Sequence, residues 1–538
     1  MARATAILDR LPAESIPLLR AKLQGFEEPP VGMRTFLSDA RFLGGTRVWP
    51  SVREDLIALF DREAGEAPYR EAVFCEGIGS GKSFKSSIAI AYLVYRLACL
   101  RNPQAFYRLA NGSRIVVLNM SPTGPQARRV VFGDVKQRID ECPWFAEHGM
   151  LPEPSVKSEL RFPKGITVFP GNSSSTFPLG YNVFAGVLDE AAFYTDTDES
   201  DRAQDIHDAI LRRIRSRFGQ DGLLITISSP RYVDDFVETL MQRASVDEGI
   251  FARRRATWES RPSRSETFRY AAHPVSGETV RIPMDLADAF DVNPEKAWRD
   301  FGAVPSLVLE PYLRDREAIV RAFRGLNRDV RAPWQPQEAL YAVHVDLGRT
   351  RDACGVAVGH RAGEGVVIDA VAQFVPESHV ARFPDGVACG EREVDFDRIR
   401  QVILGLASAG FPIASVSYDG WQSADSIQLL AKQGVVAVEQ STDRTMGPYD
   451  TMKELLYGDR LTLPAHASLQ RELERLELVA GKKVDHPPKG SKDLADAVAG
   501  VCWALQHGEV ATEVSMTELV DDQDMGMPSE DVVIGGDY

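Results

Sequence analysis

With 538 residues, 44% of them apolar and 26% charged, the chain is too long for a single hydrophobic core. Its composition is that of an ordinary folded protein in two or three domains, not of a disordered or fibrous one. A formal charge of -15 excludes a uniformly basic nucleic-acid binder and leaves such binding to local patches, of which Arg212, Arg213, Arg215 and Arg217, then Arg253, Arg254 and Arg255, are the clearest. Six cysteines without paired spacing, no signal-like apolar segment and no stretch of membrane-spanning length lead to the expectation of a cytosolic protein with reduced thiols.

Residues 1–50 read as a helical lead-in, broken by EEPPVG and ending at Trp49-Pro50. From Glu71 to about Gly325, apolar runs rich in β-formers alternate with helical stretches, the pattern of an α/β domain around a largely parallel sheet. The first chemical signal lies at its start, in EAVFCEGIGSGKSFKSSIAIAYLVY: a short apolar strand, a glycine-rich turn, then a helix. That order makes a phosphate cradle. Backbone N–H groups around Gly77, Gly79, Ser80 and Gly81 face the phosphates, Lys82 reaches the β/γ oxygens, and Ser83 offers a hydroxyl to magnesium at a helix N-terminus. One departure stands out, because Glu76 occupies the place five residues before Gly81 where such loops usually begin with glycine.

Further along, the strand in FAGVLDEAAFY ends in paired acids. In a nucleoside-triphosphate hydrolase Asp189 would hold the magnesium water shell and Glu190 would polarise the attacking water. A third strand, LLITISSPRY, ends in Ser228, Ser229 and Pro230, small residues at a position from which a γ-phosphate can be sensed. The two prolines of Asn327–Leu340 mark a linker over residues 327–338.

The second half opens on EALYAVHVDLGRTRDACGVAVGH, an apolar strand carrying Asp346, a tight turn and another apolar strand. An acid pointing inward from such a strand is costly unless metal or hydrogen bonds compensate. FPIASVSYDGWQSADSIQLLAKQG gives a later strand ending in Asp419, and KGSKDLADAVAG places Asp493 and Asp496 three residues apart on one face of the closing helix. Three or four converging carboxylates are what a two-metal nuclease requires. Beyond Gly508 the chain turns acidic and poor in aromatic residues, and a disordered tail is expected over 509–538.

Taken together these segments resemble the large subunit of tailed-bacteriophage terminases, over roughly residues 30–508. The likeness is carried in the first half by the Lys82-Ser83 loop, RIVVLNMSPTGPQARRVVF with Gln126-Ala127, PLGYN before GVLDE, and the strand ending in SSP. In the second half it is carried by DLG, SYDGWQS, LYGDRLTLP and HPPKGSKDLADA. The resemblance implies an α/β protein with a P-loop ATPase domain of the additional-strand, helicase-like type over residues 1–326 and a ribonuclease H-like nuclease domain over 339–508. It assigns Asp346, Asp419 and Asp493 to metal ions, with Asp496 as a fourth or substitute ligand, and ATP and Mg2+ as cofactors, Mn2+ being an alternative at the nuclease site.

The implied activity is that of a viral DNA-packaging motor. The implied partners are double-stranded DNA, the portal protein of the prohead, the small terminase subunit and further copies of the chain in a ring on the portal, with no membrane. Its implied place is the cytoplasm of the infected bacterium and not the mature virion. Two departures bear on the trans-acting arginine of such motors: Leu179 stands where many members carry an arginine before the glycine of the PLGYN-like segment, and the P-loop contains none. Arg212, Arg213, Arg215 and Arg217 are left as candidates. The alternative, a helicase or recombination ATPase without nuclease activity, accounts for residues 71–230 but leaves the three-acid series unused.

Overall fold

The computed structural model describes residues 25–63, 66–173, 180–194, 202–261, 265–331, 334–347, 353–420, 423–479, 481–487 and 490–508. The first half of the expected lead-in, Leu179, and the acidic tail lie outside them. The chain divides into two units between Leu309 and Glu310.

The first unit is built on seven strands: β1 (Glu71–Glu76), β2 (Ile115–Ser121), β3 (Leu160–Arg161), β4 (Ile166–Asn172), β5 (Asn182–Asp189), β6 (Leu223–Ser228) and β7 (Ile250–Arg255). They lie in the order β3-β4-β2-β5-β6-β1-β7, parallel throughout except for the short edge strand β3. Every residue of β1, β2 and β6 is buried, as expected of parallel strands covered on both faces. One face is covered by α1 (Pro50–Phe60) and α2 (Lys82–Ala98), through Val52, Leu56, Ile88 and Leu93 against Phe74, Val117 and Ile225. The other is covered by α3 (Arg202–Phe218) and α4 (Phe236–Ala244), whose Ile206, Ile210, Phe236 and Leu240 meet Val73, Leu118 and Leu188. Because β6 lies between β1 and β5, the strand ending in the glycine-rich turn and the strand ending in the acid pair are not neighbours. A separate antiparallel hairpin, β8 (Phe268–Ala272) and β9 (Thr279–Pro283), follows.

The second unit begins with α5 (Arg316–Ala322) and β10 (Phe323–Gly325). Its sheet continues with β11 (Tyr341–Asp346), β12 (Cys354–Ala362), β13 (Gly365–Val375), β14 (Gly386–Ala388), β15 (Ile413–Tyr418), β16 (Ala437–Glu439) and β17 (Leu461–Pro464). The order is β10-β17-β13-β12-β11-β15-β16, with β14 also on β13. An antiparallel meander, β11 to β13, is extended on the β11 side by parallel β15 and β16. This 3-2-1-4-5 arrangement is the ribonuclease H-like sheet that the resemblance implied. α6 (Phe396–Ser408) packs Ile399 and Ile403 against Val343, Val356 and Val416 on one face. On the other lie α7 (Gly447–Tyr457), α8 (Ala467–Glu474) and α9 (Asp493–His507), the last through Val498 and Val501 against Ala357 and Ile368.

The division falls upstream of the segment expected to be the linker. Tyr312, Leu313, Ala318 and Ile319 find their core among Met452, Leu455 and Leu463 of the second unit, and β10 pairs with β17. The Asn327 side chain is hydrogen-bonded to both backbone groups of Val371, and Val330 enters the second unit's other core. Asn327 and Val330, expected in a linker, thus lie against the second unit. All six cysteines are free and buried, and no helix among the described residues is long and apolar enough to cross a membrane.

Candidate functional site

The first site is built where β1 ends. Gly77 is required by close packing, since a Cβ there would stand 2.4 Å from the Thr257 hydroxyl and 2.6 Å from the Phe301 carbonyl. Gly79 and Gly81 are required by backbone geometry, with φ of 78° and 90°. The loop is gripped from outside. Gly77 N–H donates to the Arg255 carbonyl, Ile78 N–H to the Asp300 carbonyl, and the Thr257 hydroxyl to the Ile78 carbonyl at 2.8 Å. Gly81, the N-cap of α2, supplies no side-chain cap to the first-turn N–H groups, which leaves the positive end of the helix dipole directed at the loop. The Trp49 ring packs on Gly81, and Ser83 is half-buried in the first helical turn.

Lys82 joins three strand ends. Its Nζ donates to Ser229 Oγ at 2.7 Å beyond β6 and lies 3.3 Å from Glu190 Oε1 beyond β5, with the carbonyls of Glu76 and Gly77 at 3.5 and 3.4 Å. The other Glu190 oxygen accepts from Ser229 N–H at 3.3 Å and Ser228 Oγ at 3.4 Å. Glu190 itself has a left-handed backbone, φ 52°, a strained state for a residue with a side chain. Asp189 is buried and accepts the Ser121 hydroxyl at 3.3 Å. Burial, then the charge of Glu190, pushes its carboxyl up to about 7 against the opposing pull of Ser121 and Lys82.

Gly77, Gly79, Gly81, Lys82, Asp189, Glu190, Ser228 and Ser229 are thus brought together. Ser80 belongs to the loop, but its buried hydroxyl faces inward and donates to Glu76 at 2.9 Å. The arginine cluster is elsewhere. Arg215 pairs with Glu71 at the start of β1 and Arg217 contacts Tyr181 and Asn182 at the start of β5, so both sit at the end of the strands opposite the loop, while Arg212 and Arg213 donate to the Asp208 and Ala209 carbonyls of their own helix.

The second site forms at the ends of β11 and β15. Val345 pairs with Tyr418 in the parallel register, and Asp419 N–H donates to the Val345 carbonyl, so Asp346 and Asp419 leave adjacent strand ends. On the other side Asp346 pairs with Gly355 of β12. A Cβ on Gly355 would lie 2.0 Å from the Asp493 carbonyl oxygen, so this glycine lets the first turn of α9 lie directly on the sheet beside Asp346. Gly500 plays the same part lower down, against the ring of buried His344.

Partners hold Asp493, Asp419 and Asp496. Asp493 accepts from Gln373 Nε2 at 3.1 Å and Ser491 Oγ at 2.8 Å, and Asp419 from Thr442 Oγ1 at 2.8 Å. Asp496 is buried and engaged by Lys492 and, at 2.7 Å, by the Tyr449 hydroxyl. Lys492 also reaches Asp443 at 2.9 Å. Glu472 accepts the N–H groups of Leu494 and Ala495, both at 2.9 Å, and so caps α9; burial and then Asp493 push its carboxyl up to about 8. Burial, followed by the charges of Asp496 and Asp493, holds Asp346 well above the usual carboxylate range, with Lys492 opposing and Asp419 adding to the rise.

Lys492, Tyr449, Glu472, Gln373 and Thr442 were not anticipated. Only Lys492 had a local signal, its i,i+4 spacing from Asp496. His486, in the loop before α9, makes a hydrogen bond to the Pro487 carbonyl. Among the described residues, no group of three or more His, Cys, Asp or Glu side chains is disposed to hold a metal ion.

The chain is therefore a two-unit α/β protein: a P-loop unit with an additional strand between its two site-bearing strands, followed by a ribonuclease H-like unit. Residues 21–279 match the sequence family described as "Uncharacterized protein MJ0330, N-terminal P-loop domain". No curated protein matches the sequence. Among solved structures, the large terminase of bacteriophage HK97 is similar over 88% of this chain and 98% of its own, at 15% identity and a TM-score of 0.50. A large terminase from a thermophilic bacteriophage matches over 86% and 99% (12% identity, TM-score 0.35), and the large terminase nuclease of the thermophilic phage G20c over 36% and 97% (11%, 0.27). The fold is that of the phage large terminases, as the motifs implied.

Proposed function

We propose that the chain is the large subunit of a phage terminase, a motor that couples ATP hydrolysis to translocation of double-stranded DNA into a prohead and cuts that DNA with a metal-dependent nuclease. The observation that carries this reading is the presence in one chain of both sites: Lys82, Glu190 and Ser229 meeting over a P-loop, and Asp346, Asp419 and Asp493 at the strand and helix ends of a ribonuclease H-like unit.

In the first site Lys82 stabilises charge on the transferring phosphoryl group, and Glu190, held by Lys82, Ser228 and Ser229, orients the attacking water. Ser83 and Asp189 would hold Mg2+, which neutralises the phosphate oxygens. In the second, Asp346, Asp419 and Asp493 would hold Mg2+ or Mn2+, whose charge would lower the pKa of a bound water and offset charge on the leaving oxygen. The donor chemistry suits a divalent cation, because the charges of Asp493, Asp496 and Asp419 all bear on Asp346 while the neighbouring lysine, Lys492, is engaged by Asp496 and Asp443. Asp496 acts behind the ligands, keeping Lys492 and Tyr449 in place, while Gln373, Ser491 and Thr442 orient Asp493 and Asp419. The partners are double-stranded DNA, the portal protein, the small terminase subunit and further copies of the chain in a ring; the setting is the infected bacterial cytoplasm.

The test is packaging by the purified full chain with empty proheads, portal, small subunit, DNA, ATP and Mg2+. Filled proheads are expected from the wild type, no filling from Lys82→Ala, and filling without end-cutting from Asp346→Asn. ATP-independent behaviour of the wild type, or undiminished cutting by Asp346→Asn, would refute the reading.

A further inference from the structure

The residue that breaks the P-loop pattern, Glu76, is fully buried, as is Asp55 of α1, and Lys85 is 2% exposed. Lys85, one turn into α2, forms ion pairs with both acids, at 2.6 Å to Asp55. The other Glu76 oxygen accepts the hydroxyl of Ser80 across the loop at 2.9 Å. Asp55 in turn accepts from Arg255 Nη2 at 2.7 Å and forms an ion pair with Arg253, whose Nε lies 3.2 Å away, both from the end of β7. Arg255 is also the residue whose carbonyl accepts the Gly77 N–H, so the chain of contacts closes into a ring: loop, α2, α1, β7, and back to the loop. A buried carboxylate this well paired does not add stability for its own sake, since an apolar group of like volume would serve as well. What it supplies is a fixed geometry, and here the fixed object is the phosphate-binding loop.

We propose that Glu76 is a positioning residue of the nucleotide site, its carboxylate joining Ser80 to Lys85 so that the P-loop is held in its phosphate-ready conformation before nucleotide arrives. This rests on the P-loop reading above. Glu76 touches no reacting atom; it acts through Ser80, Gly77 and α2. The loop's ordering cost is then met within the protein, and loss of the bond appears as weaker nucleotide binding with the chemical step intact.

The experiment is steady-state ATP hydrolysis by the full-length chain, with direct binding of a fluorescent ATP analogue and a thermal melt for each variant. Ser80→Ala removes one hydrogen bond of the ring and should raise KM and the analogue's Kd about threefold to tenfold, with kcat within about twofold. Glu76→Gln keeps an acceptor for Ser80 but removes the charge facing Lys85, and should raise both at least about tenfold. Glu76→Gln combined with Ser80→Ala should be worse than Glu76→Gln by no more than the effect of Ser80→Ala alone, because the two changes remove different bonds of one carboxylate. Unchanged KM and Kd in Ser80→Ala and Glu76→Gln, or a fall in kcat and melting temperature with KM unchanged, overturns the proposal and leaves Glu76 a packing residue. A wild-type chain that neither binds the analogue nor hydrolyses ATP overturns the P-loop reading and this proposal with it.

Discussion

Replacing Gly355 by alanine tests the second site without touching any of its carboxylates. The three atoms nearest the added Cβ would all be main-chain: the Asp493 carbonyl oxygen at 2.0 Å, its carbon at 2.5 Å and the Leu494 nitrogen at 3.2 Å. No rotamer can relieve this. Ordinary contact begins at 3.4 Å, so the first turn of α9 must retreat by about 1.4 Å, the difference between 3.4 and 2.0 Å. That movement carries Asp493 away from Asp346, which faces Gly355 across the β11–β12 pair. Overpacking of this kind costs about 1–3 kcal/mol of stability. A displacement of about 1 Å in a reacting constellation costs on the order of 100-fold in rate. Cleavage of linear duplex DNA in Mg2+ should therefore fall by about two orders of magnitude while ATP hydrolysis, which belongs to the first unit, stays within about twofold. Wild-type cleavage by a folded Gly355→Ala protein would refute the claim that contact between α9 and β12 sets the site.

Glu190→Gln should bind ATP and fail to hydrolyse it, since the amide keeps the bonds to Ser229 but cannot orient or deprotonate water as a carboxylate does; normal turnover would place the catalytic acid elsewhere. Asp346→Asn and Asp419→Asn should each nearly eliminate DNA cleavage, and the double variant should be little worse than either, because ligands sharing one step do not contribute additively. Asp189 gives a pH signature. Its folded carboxyl lies near 7, above the ordinary 3.8, so the folded chain binds the extra proton between these values; the stabilisation is present at low pH and lost as pH rises through 7. Between pH 5 and 8 in metal-free buffer, wild-type stability should drop by roughly 2 kcal/mol more than that of Asp189→Asn, as read by denaturant unfolding. Equal slopes would remove Asp189 as the titrating group.

What could be read from the chain alone was local. The glycine-rich turn with Lys82, and the acids Asp189, Glu190, Asp346 and Asp419, each sit at the end of an apolar run, and Asp493 at the start of an apolar helix, where periodicity and turn residues fix their position within a few neighbours. Residues that converge from distant segments left no such mark. Glu472 of α8 reaches α9, Gln373 arrives from near the end of β13, and Thr442 from the loop after β16. Glu76 read as a defect in a pattern because its meaning depends on Lys85 and Asp55 in the core. The unit boundary was misplaced for a related reason. Prolines signal where a chain turns, whereas the side of the boundary to which residues 310–326 belong depends on which core accepts Tyr312 and Ile319.

The outer grip on the P-loop bears on how much of the first unit must be kept when it is studied alone. Sequence similarity to a P-loop family stops at residue 279, and a fragment cut there would look complete by that measure. It would lack Asp300 and Phe301, whose carbonyls take the N–H groups of Ile78 and Thr257. It would also lack Ser306, which exchanges backbone hydrogen bonds with Arg231 and Val233 just past the strand end that holds Lys82. Polar groups at the nucleotide site would be left to solvent, and low activity in such a fragment would measure the cut rather than the enzyme. The smallest fragment in which the proposed ATPase activity can be tested fairly ends no earlier than Leu309.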